Sequence, residues 1–170
     1  MALLNHRYTI VKPLGGGATA SVYLASDAFY DGALVAIKLF DQRYLQASDL
    51  KSLGHEFLTL RQMEHPNLAR VFDYGQVATS DSGEHVGDTY FTLEYVEGPS
   101  LFEATENAST QEVGQLFFQL GHALFYIHSH GLIHGDIKPS NILITETATD
   151  QARLPLAKII DFGFVSTTDR

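Results

Sequence analysis

The sequence predicts an α+β chain in two successive parts, an antiparallel sheet with one helix followed by a mainly helical region. Three observations carry this. Residues 8–40 hold three β-rich runs separated by glycine turns. Residues 48–63 carry an apolar stripe at three- and four-residue spacing. Residues 111–128 carry a second stripe between a capping signal and a glycine stop. A period of two marks half-buried strands and a period near 3.6 marks amphipathic helices.

The first strand, 8–14, is rich in β-formers and runs into Gly15-Gly16-Gly17. The second, 21–26, contains Val22, Tyr23 and Leu24, and the third, 33–40, is apolar apart from Lys38. Asp31-Gly32 between them is a tight-turn signal. The helix over 48–63 places Leu50, Leu53, Phe57, Leu60 and Met63 on one face, and His65-Pro66-Asn67 ends it. A residue preceding proline is pushed out of the α region. Strands follow at 68–74 and 89–96, joined by a polar stretch expected to be an exposed hairpin loop. Glu97-Gly98-Pro99 reads as a linker dividing 1–96 from 97–170. Ser109 and Glu112 have capping-box spacing ahead of the helix over 111–128, and Gly131 stops it. Its expected buried face is Val113, Leu116, Phe117, Leu120, Leu124 and Ile127. Short strands are expected at 141–144 and 157–160.

Composition narrows the function. With 45% hydrophobic residues, the 170-residue chain can bury a core and is not disordered. Lys plus Arg is 11 and Asp plus Glu is 20, a net charge of −9. Such a chain lacks the general positive field that binds nucleic acid, so any anion must be held locally. The absence of cysteine excludes disulfides, thiolate zinc sites and cysteine nucleophiles, and fits the cytoplasm. No signal peptide or membrane-spanning stretch is evident in the sequence.

Four local patterns point to chemistry. The glycine turn 15–17 between two strands lets backbone N–H groups approach phosphates without an intervening Cβ. Lys38 is the single charge in its apolar strand and calls for an acidic partner, which Glu56 on the striped helix can supply. His134-Gly135-Asp136-Ile137-Lys138-Pro139-Ser140-Asn141 sets a carboxylate, a cation and an amide in one short loop. Asp161, at a strand end in Asp161-Phe162-Gly163, is a suitable Mg²⁺ ligand. A cluster of His122, His128, His130 and His134 reads as helix-end histidines rather than a metal centre.

Taken in order, these motifs closely resemble the protein kinase family, Ser/Thr type and bacterial-like. The resemblance implies a two-lobe fold with a complete N-lobe, a five-stranded antiparallel sheet plus one helix, over 1–96. A partial, truncated C-lobe is implied over 97–170. It implies ATP and Mg²⁺ as cofactors and a protein substrate. Gly15, Gly17, Ala20 and Val22 would cover the nucleotide, with Ala20 standing where the family usually has a third glycine. Lys38 would hold phosphates and pair with Glu56. Ala36 and Leu143 would sandwich adenine, Glu94 and Val96 would bond it through their backbone, and Leu93 would be the gatekeeper. Asp136 would be the catalytic base, Lys138 would meet the γ-phosphate, and Asn141 and Asp161 would bind Mg²⁺. Leu60, Val71, His134 and Phe162 would form an internal spine. Lys138 two residues after Asp136 resembles the Ser/Thr-specific pattern.

The sequence departs from the family in two places. Gly135 stands where many members have an arginine that receives a phosphorylated activation loop, which bears on Thr167 and Thr168. The A-P-E motif is absent, and the sequence ends seven residues after Gly163. His-Gly-Asp also occurs in aminoglycoside/choline phosphotransferases, so a small-molecule kinase is the alternative enzyme. A non-catalytic nucleotide- or partner-binding fragment is the alternative outside enzymes.

Overall fold

The computed structural model describes residues 2–148, 153–161 and 166–167. The chain divides into two compact units: Met1–Met63 with Arg70–Tyr95, and Glu64–Ala69 with Val96–Arg170.

The first unit is built on β1 (Leu3–Leu4), β2 (Tyr8–Gly16), β3 (Ala20–Asp27), β4 (Ala33–Phe40), β5 (Val71–Gln76) and β6 (Thr89–Glu94), with helix α1 (Ala47–Leu60). The sheet is antiparallel, in the order β1-β2-β3-β4-β6-β5. It has six strands, one more than expected. Leu3 and Leu4 pair with Thr9 and Tyr8, a contact too short to leave a periodic signal. Asp31 and Gly32 both take positive φ (52° and 80°), as their turn signal required.

Strand alternation gives the sheet two different faces. Ala25, Val35, Ile37, Leu39 and Tyr90 pack with Leu4, Tyr8 and Val77 in one buried cluster. Val77 and Asp88 are buried, so the 77–88 connection is not the simple exposed loop expected. It is tied down: Asn5 Oδ1 accepts from the Ala78 and Thr79 N–H groups, and Leu3 N donates to Asp81. At the sheet end Arg7 donates to both oxygens of buried Asp27 at 2.8 Å and to Asp73 at 2.6 Å. Burial works to raise the Asp27 pKa, but the Arg7 hydrogen bond and the Phe29 N–H hold it below the ordinary value.

Helix α1 covers the other face. Phe57 stacks on Tyr74 at 5.4 Å and meets Phe91 at 5.9 Å, while Phe40 contacts Phe91 edge-on at 5.2 Å. The helix stops at Leu60, before the expected Met63, which is buried beyond the helix end, and Leu50 is exposed.

In the second unit, α2 (Leu101–Thr105) and α3 (Thr110–Ser129) precede β7 (Leu132–Ile133), β8 (Ile142–Ala148), β9 (Arg153–Ile159) and β10 (Ser166–Thr167). β8 pairs with β9 and β7 with β10, both antiparallel. The capping box at Ser109 and Glu112 forms as its spacing required. The same spacing at Ser100 and Glu103 opens α2, which the linker reading passed over. The buried stripe of α3 is Leu116, Leu120, Ala123 and Ile127; Phe117, expected inside, is 59% exposed. A rotation of about 100° per residue carries Phe117 out of the stripe centred on Leu116. β8 and β9 are longer than the expected 141–144 and 157–160. Gly98 (φ 157°) brings its backbone against the Ile144 carbonyl, where a Cβ would collide, and Ile144 N donates to Pro99 O at 2.9 Å.

Candidate active site

Register places most of the expected nucleotide residues of the first unit on one sheet face. Gly15 pairs with Val22, Val22 with Lys38, and Lys38 with Phe91 across four strands. Ala36 pairs with Leu93 two residues along, so Gly15, Val22, Ala36, Lys38 and Leu93 share that face, because directly opposed residues point the same way. It is the face to which Phe57 holds α1, and Glu56 is the half-buried residue next to Phe57. Lys38 is itself half-buried, with Nζ 5.4 Å from the Phe40 ring centroid. Ala20 opens β3 opposite Phe40.

Glu94 pairs with Val35 and therefore faces the other way. Its N–H donates to Arg70 O at 2.8 Å and its carboxylate accepts from Arg70 N, so any role at a nucleotide falls to its carbonyl. In the glycine turn, Gly17 N donates to Ala20 O at 2.8 Å. A Cβ on Gly15 or Gly17 would meet open space, whereas one on Gly16 would lie 3.0 Å from Ala20 O. Gly16, which the motif did not single out, is the glycine of this turn where a Cβ would be crowded.

The second unit assembles the catalytic-loop residues. Lys138 Nζ lies 2.7 Å from Asp136 Oδ2, and Asn141 Nδ2 donates to both Asp136 O and Oδ2 at 3.0 Å. The Lys138 hydrogen bond holds the Asp136 pKa below its ordinary value, with Asn141 adding to it, and Asp136 raises that of Lys138 in return. An Asp136 ionised and oriented in this way accepts protons and does not donate them. A 3-10 turn begun by Pro139 carries buried Asn141 into the start of β8.

Asp161 is delivered by the partner strand. Ile160 N donates to Asn141 O at 2.9 Å, so the residue before Asp161 is bonded to the catalytic loop. Leu143 follows in β8, bridged to Ser100, and Val96 is buried. Asn141 turns its amide nitrogen to Asp136, which leaves Oδ1 as the atom for a cation. That atom and the Asp161 carboxylate are both hard oxygen donors, the kind Mg²⁺ takes, and Asn141 and Asp161 would be the residues to hold it. Leu60, Val71 and His134 are buried, while Phe162, Gly163 and Thr168 lie outside the described residues. His130 Nδ1 is 2.8 Å from Tyr126 O, a helix-end contact.

Gly135 takes φ 77°. The residue that departs from the usual motif therefore sits where a left-handed backbone favours glycine.

Comparison with known proteins gives the class. The chain matches the protein kinase domain over residues 8–170 and belongs to that family. It is 32% identical to a probable serine/threonine-protein kinase PknB of Lactococcus lactis, over 92% of this chain and 23% of that protein. It is 32% identical to CBL-interacting serine/threonine-protein kinase 19 of Arabidopsis thaliana, over 99% of this chain and 32% of that protein. It is 30% identical to calcium/calmodulin-dependent protein kinase type 1 of Caenorhabditis elegans, over 99% of this chain and 45% of that protein. The chain thus spans less than half the length of these relatives. No helix among the described residues is long and apolar enough to cross a membrane.

Proposed function

We propose that this protein binds Mg²⁺-ATP and transfers its γ-phosphoryl group to a Ser or Thr hydroxyl of a protein substrate in the cytoplasm. The observation that carries this reading is the Asp136–Lys138–Asn141 arrangement, an ionised carboxylate held between a cation and an amide. Asp136 takes the proton of the attacking hydroxyl as its oxygen bonds the γ-phosphorus and ADP leaves. Lys138 stabilises the transferring phosphoryl charge. When bound, Mg²⁺ neutralises phosphate charge, and Asn141 and Asp161 are the residues that would hold it. Gly15, Gly17, Ala20 and Val22 cover the nucleotide, and Lys38, kept in place by Glu56, holds its phosphates. Ala36, Leu93, Val96 and Leu143, with the Glu94 carbonyl, take the adenine. The relatives named as serine/threonine-protein kinases support the substrate class. The net charge of −9 argues against a nucleic-acid substrate.

Differential scanning fluorimetry with Mg²⁺-ATP tests the site. The wild-type chain is expected to gain thermal stability from the ligand, and Lys38→Met and Asp161→Ala to lose that gain. An undiminished shift in both variants would overturn the assignment.

A further inference from the structure

β9 has β8 on one side only, and its other edge needs partners for its backbone groups, because buried unpaired N–H and C=O groups are costly. Ala157 and Ile159 on this strand are fully buried. The edge is completed by two side chains and a short parallel segment. Gln119 of α3 donates from Nε2 to Pro155 O at 3.0 Å, and its Oε1 accepts from Ala157 N at 2.9 Å. Asn67 Nδ2 donates to Ala157 O at 2.7 Å and to Gln119 Oε1 at 3.0 Å. Ile159 N then donates to Asn67 O at 2.9 Å, and Ala69 N to Ile159 O at 2.8 Å. Proline, which has no N–H, falls at an edge position where Gln119 asks only for an acceptor.

We propose that Gln119 is a positioning residue for Mg²⁺ binding, acting with Asn67 as a substitute strand that sets Asp161. The inference rests on the assignment of Asp161 above. Asp161 lies two residues past the end of β9. Its placement is set by two ladders: Ile160 to Asn141 on the inner side, and Ile159 to Asn67 and Ala69 on the outer. Gln119 is the member of this network on the long helix α3, whose Leu116, Leu120 and Ile127 are buried. It therefore ties β9 to an element anchored by its own apolar stripe. Without the Gln119 amide, the Pro155–Ala157 edge loses both of its bonds to α3, and Asn67 loses one of its two acceptors and keeps Ala157 O. The backbone bonds of Ile159 and Ile160 remain, but the strand that leads into Asp161 is held less firmly, and with it the Asp161 carboxylate. A glutamine is needed, because the edge offers one acceptor and one donor to the same side chain.

The test measures the Mg²⁺ concentration giving half-maximal binding of a fluorescent ATP analogue. Groups bonded directly to a metal ligand typically change metal affinity by about 10–100-fold; Gln119 acts at one remove, through β9, so the lower end of that range applies. Gln119→Met is expected to raise the Mg²⁺ requirement by about 10-fold while binding of metal-free nucleotide stays as in wild type. Gln119→Glu keeps the acceptor for Ala157 N and Asn67 Nδ2, and is expected to restore part of the difference. Gln115→Met, on an exposed α3 position, is expected to match wild type. A wild-type Mg²⁺ requirement in Gln119→Met overturns the proposal. If that variant does not fold, Gln119→Glu decides: an intermediate requirement supports the proposal and a wild-type one overturns it. Absence of Mg²⁺-dependent binding in the wild-type chain would overturn the Mg²⁺-ATP reading itself and this role with it. Intact binding with an unchanged metal requirement would overturn only the role of Gln119.

Discussion

Two turns of this chain share one local device and differ in the residue that completes it. In His65-Pro66-Asn67, the Asn67 N–H donates to His65 Nδ1 at 3.2 Å; in His134-Gly135-Asp136, the Asp136 N–H donates to His134 Nδ1 at 3.3 Å. Both imidazoles are lowered in pKa chiefly by burial. His122 adds to the effect on His65, and a hydrogen bond to the Asp161 backbone opposes it at His134. The third residue makes the difference. Asn67 is buried and spends its amide on the edge of β9. Asp136 is half-exposed and presents a carboxylate held by Lys138 and Asn141. An amide can satisfy a carbonyl inside the protein at little cost, whereas a carboxylate there would need a cation. The same turn therefore ties down a buried strand edge where it ends in Asn, and presents an accessible carboxylate, the base proposed above, where it ends in Asp.

Exchanging the two side-chain types is the strongest way to break the comparison. Asp136→Asn removes the proposed proton acceptor and leaves the acceptor sites for Lys138 and Asn141 partly intact. Phosphotransfer by the whole protein is expected to fall by about 10²–10⁴-fold with little change in melting temperature. Asn67→Asp does the reverse. It sets a carboxylate against Ala157 O and Gln119 Oε1, and is expected to cost at least about 3 kcal/mol of stability at neutral pH, read from urea unfolding. If both variants lost mainly stability, the division of labour would be wrong.

The middle residue of each turn sharpens the contrast at smaller scale. Gly135→Ala forces a side chain into a left-handed backbone and is expected to cost about 1–2 kcal/mol, visible as a lower urea midpoint. Pro66 needs no such freedom, since proline holds φ near −65°. Equal stability of Gly135→Ala and wild type would remove backbone geometry as the reason for glycine there.

The smallest expected effect concerns pH. A neutral His65 accepts the Asn67 N–H at Nδ1, which an imidazolium cannot do. Because its folded pKa is lowered, the unfolded chain takes up the proton first as pH falls below the ordinary imidazole value of about 6.5. Its contribution to stability is full above that pH and is lost as pH falls through the lowered value. In His65→Gln, the decline in urea midpoint between pH 7 and pH 5 is expected to be shallower than in wild type. An identical decline would exclude His65 as a source.

Much of the fold was legible because its signals are local. Asp31-Gly32, the capping box at Ser109, and the apolar strand around Lys38 depend on residues within a few positions of one another, and each formed as read. The β1 pairing, the anchored 77–88 connection and the outward Phe117 were not legible. β1 is too brief to show a period, and Phe117 is apolar enough to fit the stripe by composition while sitting a rotation away from it. At the site, the sequence named Asp136, Lys138 and Asn141 by type and spacing but passed over Gly16, where the crowding of a Cβ comes from Ala20 O across the turn.

By itself the sequence determined which chemical groups are available and the order in which the chain meets them, because motif spacing and turn chemistry are properties of neighbouring residues. The tertiary structure decided which groups share a surface. Register set Gly15, Val22 and Lys38 in line across three strands. Contacts spanning 90, 52 and 38 residues brought Asn67, Gln119 and Ala157 together at the edge of β9. Such contacts leave no period or local preference behind. They exist because a buried strand edge must find donors and acceptors wherever the fold can bring them.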